Sequence, residues 1–330
     1  MCRTANGFDI NGFGQLKDGR GNICPVTIIM PTIAMEAKEK YEKGHEKESL
    51  IDIFLKMLDK KIHEAKDMLI ERFEFICSQP ADSAKFMYEN GTMEGYIPEE
   101  GIRSALKHGT LAVGQIGLAE TLQILIQKDH TTTEGMEIAK HIEQLFKDRC
   151  AEFKKKYKLN FGVYYTPAEN LCFTAMKKFK EKYGIIPNVS ENKFFTNSIH
   201  VPVWKDMTPI EKIDIESQLT GYSSAGCITY VELPKDVDKN IKALETIVLY
   251  AMEKDIPYFA INVPNDQCLD CGYLGEFKEE CPNCGSIHIQ RLRRVTGYLT
   301  GNYTTAFNEG KIQETEMRVK HIQTFQQRDY

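Results

Sequence analysis

Four cysteines near the carboxyl end stand in two pairs, Cys268-Leu-Asp-Cys271 and Cys281-Pro-Asn-Cys284, each followed by glycine. Nine residues separate the pairs, enough for a ribbon hairpin. Two such knuckles can present four thiolates as a tetrahedron, with the glycines permitting the tight turns around a metal. A closed four-sulfur set has no open coordination position, so the metal's role is structural, and zinc is the preferred ion. Two redox dithiols or an iron–sulfur cluster are the alternatives. His288 is not needed as a ligand beside a complete set. Just downstream runs Arg291-Leu-Arg-Arg-Val-Thr-Gly-Tyr-Leu-Thr300, centred on Gly297. A glycine in such a strand-like run usually marks a bulge or a close backbone approach. It is also a residue that can store a radical. Removing a hydrogen from its Cα leaves an electron shared between the flanking amide nitrogen and carbonyl, and no Cβ prevents the centre from flattening.

The order of motifs favours the radical. The two CxxCG knuckles, Arg294-Val-Thr-Gly-Tyr-Leu299, Phe307-Asn-Glu-Gly-Lys311 and Glu314 to His321 follow one another. Together they resemble the C-terminal domain of anaerobic (class III) ribonucleoside-triphosphate reductases, members of the glycyl radical enzymes. The resemblance extends to the amino end, through Met1-Cys-Arg-Thr4, Gly19-Arg-Gly-Asn22 and Val26-Thr-Ile-Ile-Met-Pro-Thr-Ile-Ala34. It implies that Gly297 holds the stored radical and that Cys2 becomes the thiyl radical that takes the 3′ hydrogen of the ribose. It also implies that Asn22 lies near the sugar. A thiol S–H and a glycine Cα–H are of similar strength, so an electron hole can pass between the two without a large loss either way. Phe195-Thr-Asn-Ser-Ile-His-Val-Pro202 resembles a polar loop of the same family. Thr196, Asn197 and Ser198 suit hydrogen bonds to a ribose or phosphate, and equally suit a turn. His200 reads as structural. The resemblance further implies a radical-SAM activating enzyme with an iron–sulfur cluster, a ribonucleoside triphosphate substrate and a homodimer of the assembled enzyme.

The elements that must position these residues are legible as periodicities. Val26–Met30, Leu111–Ile116, Phe161–Tyr165, Cys227–Leu233 and Tyr258–Val263 read as five buried strands. Helical spacing runs from Ser49 to Cys77, and again from near Thr131 with Glu134 as a capping box. The signature Thr-Pro-x-Glu predicts helix starts at Thr166 and Thr208, the first helix stopping at Gly184 and the second at Gly221. A further helix over 236–254 carries a predicted buried stripe of Ile241, Leu244, Ile247, Val248 and Ala251. The glycine-rich stretch from Gly7 to Gly21 reads as a loop that changes direction several times. It does not fit a dinucleotide fingerprint. Cys77, Cys150 and Cys172 read as packing. A helix-like end over 313–327 follows, with Arg318 and His321 placed to pack against the body or an activating enzyme. The architecture is therefore α/β. With the family resemblance it becomes half of a ten-stranded glycyl-radical-enzyme barrel, five strands with helices, over residues 1–263. A small zinc-ribbon and glycyl radical domain occupies 264–330.

The chain has 330 residues, a formal net charge of −5 and a pI near 6.0. This balance argues against a general nucleic-acid or membrane-surface binder. Charged residues make up 27% and apolar ones 42%, the proportions of a globular protein. No apolar run is long enough to span a bilayer, and no signal-peptide core is present, so a cytoplasmic location is expected, that of the host if the source is viral. Ten cysteines in such a chain suggest metal or catalysis before disulfides. Family members are roughly twice this length. A separate N-terminal half, supplying the other five strands, is therefore an expected partner, and no turnover is expected of this chain alone. Two other classes are weighed: another glycyl radical enzyme, which would lack the knuckles beside the glycine, and a non-catalytic zinc-ribbon binding module, which needs a basic, aromatic-laced surface.

Overall fold

Every residue of Thr110-Leu-Ala-Val-Gly-Gln-Ile116 is buried, as befits a strand covered on both faces. In the computed structural model, which describes residues 4–44, 48–168, 170–277, 279–294 and 302–322, this strand is the centre of a parallel sheet. The chain forms two compact units. Unit 1 comprises residues 1–166, 197–199 and 219–227, and unit 2 the remainder.

In unit 1, β1 (Asn22–Ile29), β2 (Thr110–Ile116) and β3 (Asn160–Tyr165) pair in parallel in that order. Parallel neighbours need long crossovers. Here they are α1 (Met30–Glu42), α2 (Leu50–Cys77) and the short α3 (Lys85–Glu89) and α4 (Arg103–Leu106) between β1 and β2. Then α5 (Leu118–Ile126) and α6 (Thr133–Tyr157) lead to β3. β1 ends at Ile29, and Pro31 serves the first turn of α1. The apolar stripe of α2, with Phe54, Leu58, Ile62, Leu69 and Phe73, is buried, as are Ile142, Phe146, Cys150 and Phe153 of α6. Gly114 is required in β2, because a Cβ there would stand 2.0 Å from the Thr166 hydroxyl.

Unit 2 holds α7 (Leu171–Tyr183), most of α8 (Pro209–Thr220), and the parallel pair β4 (Thr229–Glu232) and β5 (Phe259–Asn262). The helix between those strands is α9 (Ile241–Glu253). Ile213, Val231, Leu233, Ile247 and Ala251 form its main apolar cluster. A three-stranded antiparallel ribbon follows: β6 (Asp266–Cys268) in the centre, flanked by β7 (Leu274–Gly275) and β8 (Ile289–Gln290). The described chain ends with α10 (Tyr303–Ala306) and α11 (Glu309–Glu316).

All five predicted strands are present. Several helix boundaries differ. The cap of α6 is Thr132, whose hydroxyl accepts from the Gly135 N–H at 3.1 Å, while Glu134 pairs with Lys128 instead. Thr166 does not cap α7. Its hydroxyl bonds that of Thr27 at 2.9 Å, and α7 begins at Leu171. Residues 235–239 form a 3-10 turn and Asn240 caps α9, so the stripe is rotated: Ile241 and Val248 are exposed. α11 stops at Glu316, and the residues that follow run along unit 2 by main-chain bonds from Val319 to Val203 and from His321 to Glu232. Among the described residues no helix is long and apolar enough to cross a membrane.

Candidate active site and metal centre

The ribbon repeats one hydrogen-bond pattern twice. The Cys268 N–H donates to the Tyr273 carbonyl at 2.9 Å, and the Gly272 N–H to the Cys268 carbonyl at 3.0 Å. Likewise the Cys281 N–H donates to the Ser286 carbonyl and the Gly285 N–H to the Cys281 carbonyl, both at 2.8 Å. Gly272 and Gly285 have φ of +73° and +72°, which explains why glycine closes each pair. The two knuckles bring all four sulfurs within 4.8 Å of one another, with Cys268–Cys284 and Cys271–Cys281 each at 3.6 Å. Zinc–sulfur bonds of about 2.3 Å in a tetrahedron put sulfurs about 3.8 Å apart, so the donor set fits a metal such as zinc. The Asn283 amide donates to the Cys271 sulfur at 3.5 Å, and with the Tyr273 N–H it draws that thiol down to about 6, towards the ligating thiolate. Asp270 ties the knuckles together, accepting from the Ser286 hydroxyl and from His288. His288 is thus outside the sulfur cluster, as expected.

The loop that follows residue 3 is organised around a group the sequence reading passed over, Asp9. It is 1% exposed and accepts four hydrogen bonds. The donors are the Asn11 and Phe13 N–H groups at 3.0 Å, His108 Nδ1 at 2.7 Å and Asn160 Nδ2 at 2.6 Å. Burial pushes its carboxyl up, but these donors, His108 foremost, outweigh burial and hold it well below the usual carboxylate range. Arg20 staples the same loop through the carbonyls of Gly7, Leu16 and His108. An Asp-Ile-Asn turn inside a glycine-rich run was the available signal.

Asn22 opens β1. Its amide donates to the Ala225 carbonyl at 3.1 Å, the same carbonyl that receives the Ala5 N–H at 2.9 Å. The Asn22 Oδ1 is buried and has no hydrogen-bond partner among the described residues. Asn197 and Ser198 are buried, and the Ser198 hydroxyl donates to the Thr166 carbonyl at 2.9 Å. Asn22 pairs with the start of β2, whereas Thr166 lies just past the end of β3. Cys2 and Gly297 both lie outside the described residues.

In unit 2, Arg318 and His321, which the sequence left open between packing on the body, an activating enzyme and a solvated tail, pack against β4. Arg318 meets Glu232 at 3.0 Å and Glu314 at 3.3 Å, and donates to the Arg294 carbonyl at 2.6 Å. The Glu314-x-x-x-Arg318 spacing was a usable signal for the pair.

The family model for anaerobic ribonucleoside-triphosphate reductase matches residues 1–321. The chain belongs to this family. Among relatives, the anaerobic ribonucleoside-triphosphate reductase of Haemophilus influenzae is 31% identical over 97% of this chain and 45% of its own length. That of Escherichia coli is 32% identical over 97% and 45%, and that of phage T4 31% identical over 93% and 50%. The chain thus spans about half the length of the curated relatives it matches. The fold is likewise that of solved members. An anaerobic ribonucleotide reductase superposes with a TM-score of 0.73 at 22% identity, over 92% of this chain and 46% of that one. The Thermotoga maritima reductase with glycerol in its active site gives 0.71 at 20% identity, over 95% and 48%.

Proposed function

We propose that this chain is the C-terminal part of an anaerobic ribonucleoside-triphosphate reductase, an oxidoreductase that replaces the ribose 2′ hydroxyl by hydrogen. The observation that carries the reading is the family match across residues 1–321, which includes both Cys2 and Gly297. A radical-SAM activating enzyme removes a hydrogen atom from the Gly297 Cα. The glycyl radical takes the Cys2 thiol hydrogen, and the thiyl takes the ribose 3′ hydrogen. The 2′ hydroxyl then leaves as water, a two-electron donor reduces the sugar, and Cys2 returns its hydrogen to C3′.

The residues fit these roles. The Ala5 N–H and the Asn22 amide share the Ala225 carbonyl, which supports a role for Asn22 beside the amino-terminal stretch. The unpaired Asn22 oxygen is an acceptor left for a sugar hydroxyl. Asn197 and Ser198, at the other end of the sheet, would meet a more distant part of the nucleotide, such as the phosphates. The four cysteines hold zinc and make the ribbon a rigid base for the Gly297 stretch. In functional terms residues 1–263 form the half-barrel with the cysteine loop, and 264–330 the zinc and glycyl radical domain. The parallel pairings β1-β2-β3 and β4-β5 support a half-barrel, which a second five-stranded segment would complete before the enzyme assembles as a dimer.

Anaerobic activation followed by air tests the reading. Oxygen should cleave the chain at Gly297 and release a C-terminal peptide beginning near Tyr298. An intact chain after full activation treatment would favour a zinc-ribbon module without catalysis. Nucleotide reduction by the activated chain in the absence of a second half would overturn the partition.

A further inference from the structure

A glycine that exchanges hydrogen with a distant sulfur has to be aimed, and one side chain in unit 2 is arranged to aim it. We propose that Arg318 is a positioning residue for the Gly297 stretch, clamping its amino-terminal stem through the Arg294 carbonyl. The inference rests on the radical role given to Gly297 above.

The Arg318 side chain is 6% exposed, and its guanidinium reaches three acceptors from three parts of the chain. Glu232 ends β4, Glu314 lies on α11, and the Arg294 carbonyl stands three residues before Gly297. The Tyr230 ring lies beneath, with its centroid 5.6 Å away. Each acid is itself fixed. The Glu232 carboxylate also accepts from Asn262 of β5 at 2.8 Å. Its main chain is gripped on both sides by His321, with the His321 N–H donating to the Glu232 carbonyl and the Glu232 N–H to His321 Nδ1, both at 2.8 Å. Glu314 is paired with the buried Lys311. The two cations and two acids balance, so no net charge is buried.

A planar fork that cannot lose its proton suits this task, since it holds several acceptors in one plane, whereas lysine offers a single point. Removing the clamp leaves the strand and the helix their other partners, but frees the one carbonyl that joins them to the stem. Hydrogen-atom transfer is sensitive to placement: a displacement of about 1 Å can cost on the order of a hundredfold in rate.

The test uses the assembled enzyme with its activating partner. Arg318→Lys and Arg318→Gln are compared with wild type and with Lys193→Gln, which removes the exposed Lys193–Glu309 pair of unit 2 without touching the stem. We expect Arg318→Lys to keep its zinc content and thermal midpoint and to leave the KM for nucleotide unchanged. Its kcat should fall at least about tenfold, and the hyperfine pattern of the glycyl radical's electron paramagnetic resonance doublet should change. Lys193→Gln should match wild type in all four. Wild-type kcat and an unchanged doublet in Arg318→Lys would overturn the proposal. If wild type itself gives neither doublet nor air cleavage, the radical reading fails. The clamp is then judged by amide hydrogen exchange. The peptide spanning Arg291 to Asn302 should exchange at least about tenfold faster in Arg318→Gln, with peptides of the ribbon unchanged. Equal exchange in variant and wild type would reject the clamp.

Discussion

Two stretches assigned to the radical pathway are secured in opposite ways. The loop of residues 4–21 is gathered around a buried anion, Asp9, which accepts from the loop's own main chain as well as from His108 and Asn160. Arg20 adds three carbonyls. The stem before Gly297 is held from outside by a buried cation, Arg318, through one carbonyl. The first arrangement is redundant around one carboxylate. The second adds one buried hold on the Arg294 main chain to those that Arg293 makes with Asp266, the Asn265 N–H with the Leu292 carbonyl and Arg294 with the Tyr258 hydroxyl.

The largest expected effect lies at the redundant hub. Asp9→Ala strands two main-chain donors, His108 and Asn160, in a buried place. We expect it to cost about 4 kcal/mol in urea unfolding, because several buried donors lose a charged acceptor at once. Arg318→Gln leaves Lys311 to Glu314 and Asn262 to Glu232, and should cost about half as much, on the order of 2 kcal/mol. Equal costs would erase the contrast between the two sites.

Glu143 sharpens the comparison from within unit 1, because it is a buried carboxyl that lacks such donors. Burial raises it to about 8, against weaker pulls from Tyr165 and Gln115. The Tyr165 hydroxyl donates to the Leu219 carbonyl at 2.7 Å. Gln115 donates to a Glu143 carboxyl oxygen at 2.8 Å. As pH rises from about 4.5 to about 8 the unfolded chain ionises this group and the fold does not, so stability falls across that window. Glu143→Gln keeps the bond from Gln115 and cannot ionise. It should raise stability at pH 8 by on the order of 3 kcal/mol and leave pH 4 nearly unchanged. A gain that is the same at both pH values would refute the ionisation account.

The strands and knuckles were legible because their signals are local. Continuous apolar runs marked the five strands, and a glycine after each cysteine pair marked a left-handed turn. What misled was tertiary context. Thr166-Pro-Ala-Glu169 and Thr208-Pro-Ile-Glu211 carry the same helix-start signature. Thr208 builds the reciprocal box, accepting from the Glu211 N–H at 3.2 Å while its own N–H donates to the Glu211 carboxylate at 2.8 Å. Thr166 has its hydroxyl drawn to Thr27 and its carbonyl to Ser198, so the sheet claims the residue that the helix needed. Asp9 escaped notice because its side-chain partners lie about a hundred residues or more away, at His108 and Asn160. Arg318 was visible as a cation near the end of the chain, but nothing local says that its third acceptor is the Arg294 carbonyl.

The smallest predicted effect probes the outside grip on the stem through pH. His321 accepts the Glu232 N–H through Nδ1, which requires that nitrogen to be unprotonated. Burial lowers its pKa from 6.5 to about 4, with Lys212 adding to the shift and Glu216 opposing it. Below about 6.5 the unfolded chain takes up this proton and the fold does not. The stability that His321 contributes therefore falls as pH drops from 6.5 to about 4, and is fully lost below that. Glu143 acts in the opposite sense over this window, so the histidine's share, about 2 kcal/mol, is read by calorimetry as the difference between wild type and His321→Gln, which offers an oxygen to the same N–H. Asp9 and Glu216 are both held below their ordinary values of 3.8 and 4.5, so their contributions fade only at lower pH. The window between 6.5 and 4.5 therefore separates the histidine from them. A His321→Gln profile that matches wild type in that window would show that the grip on β4 does not depend on a neutral imidazole.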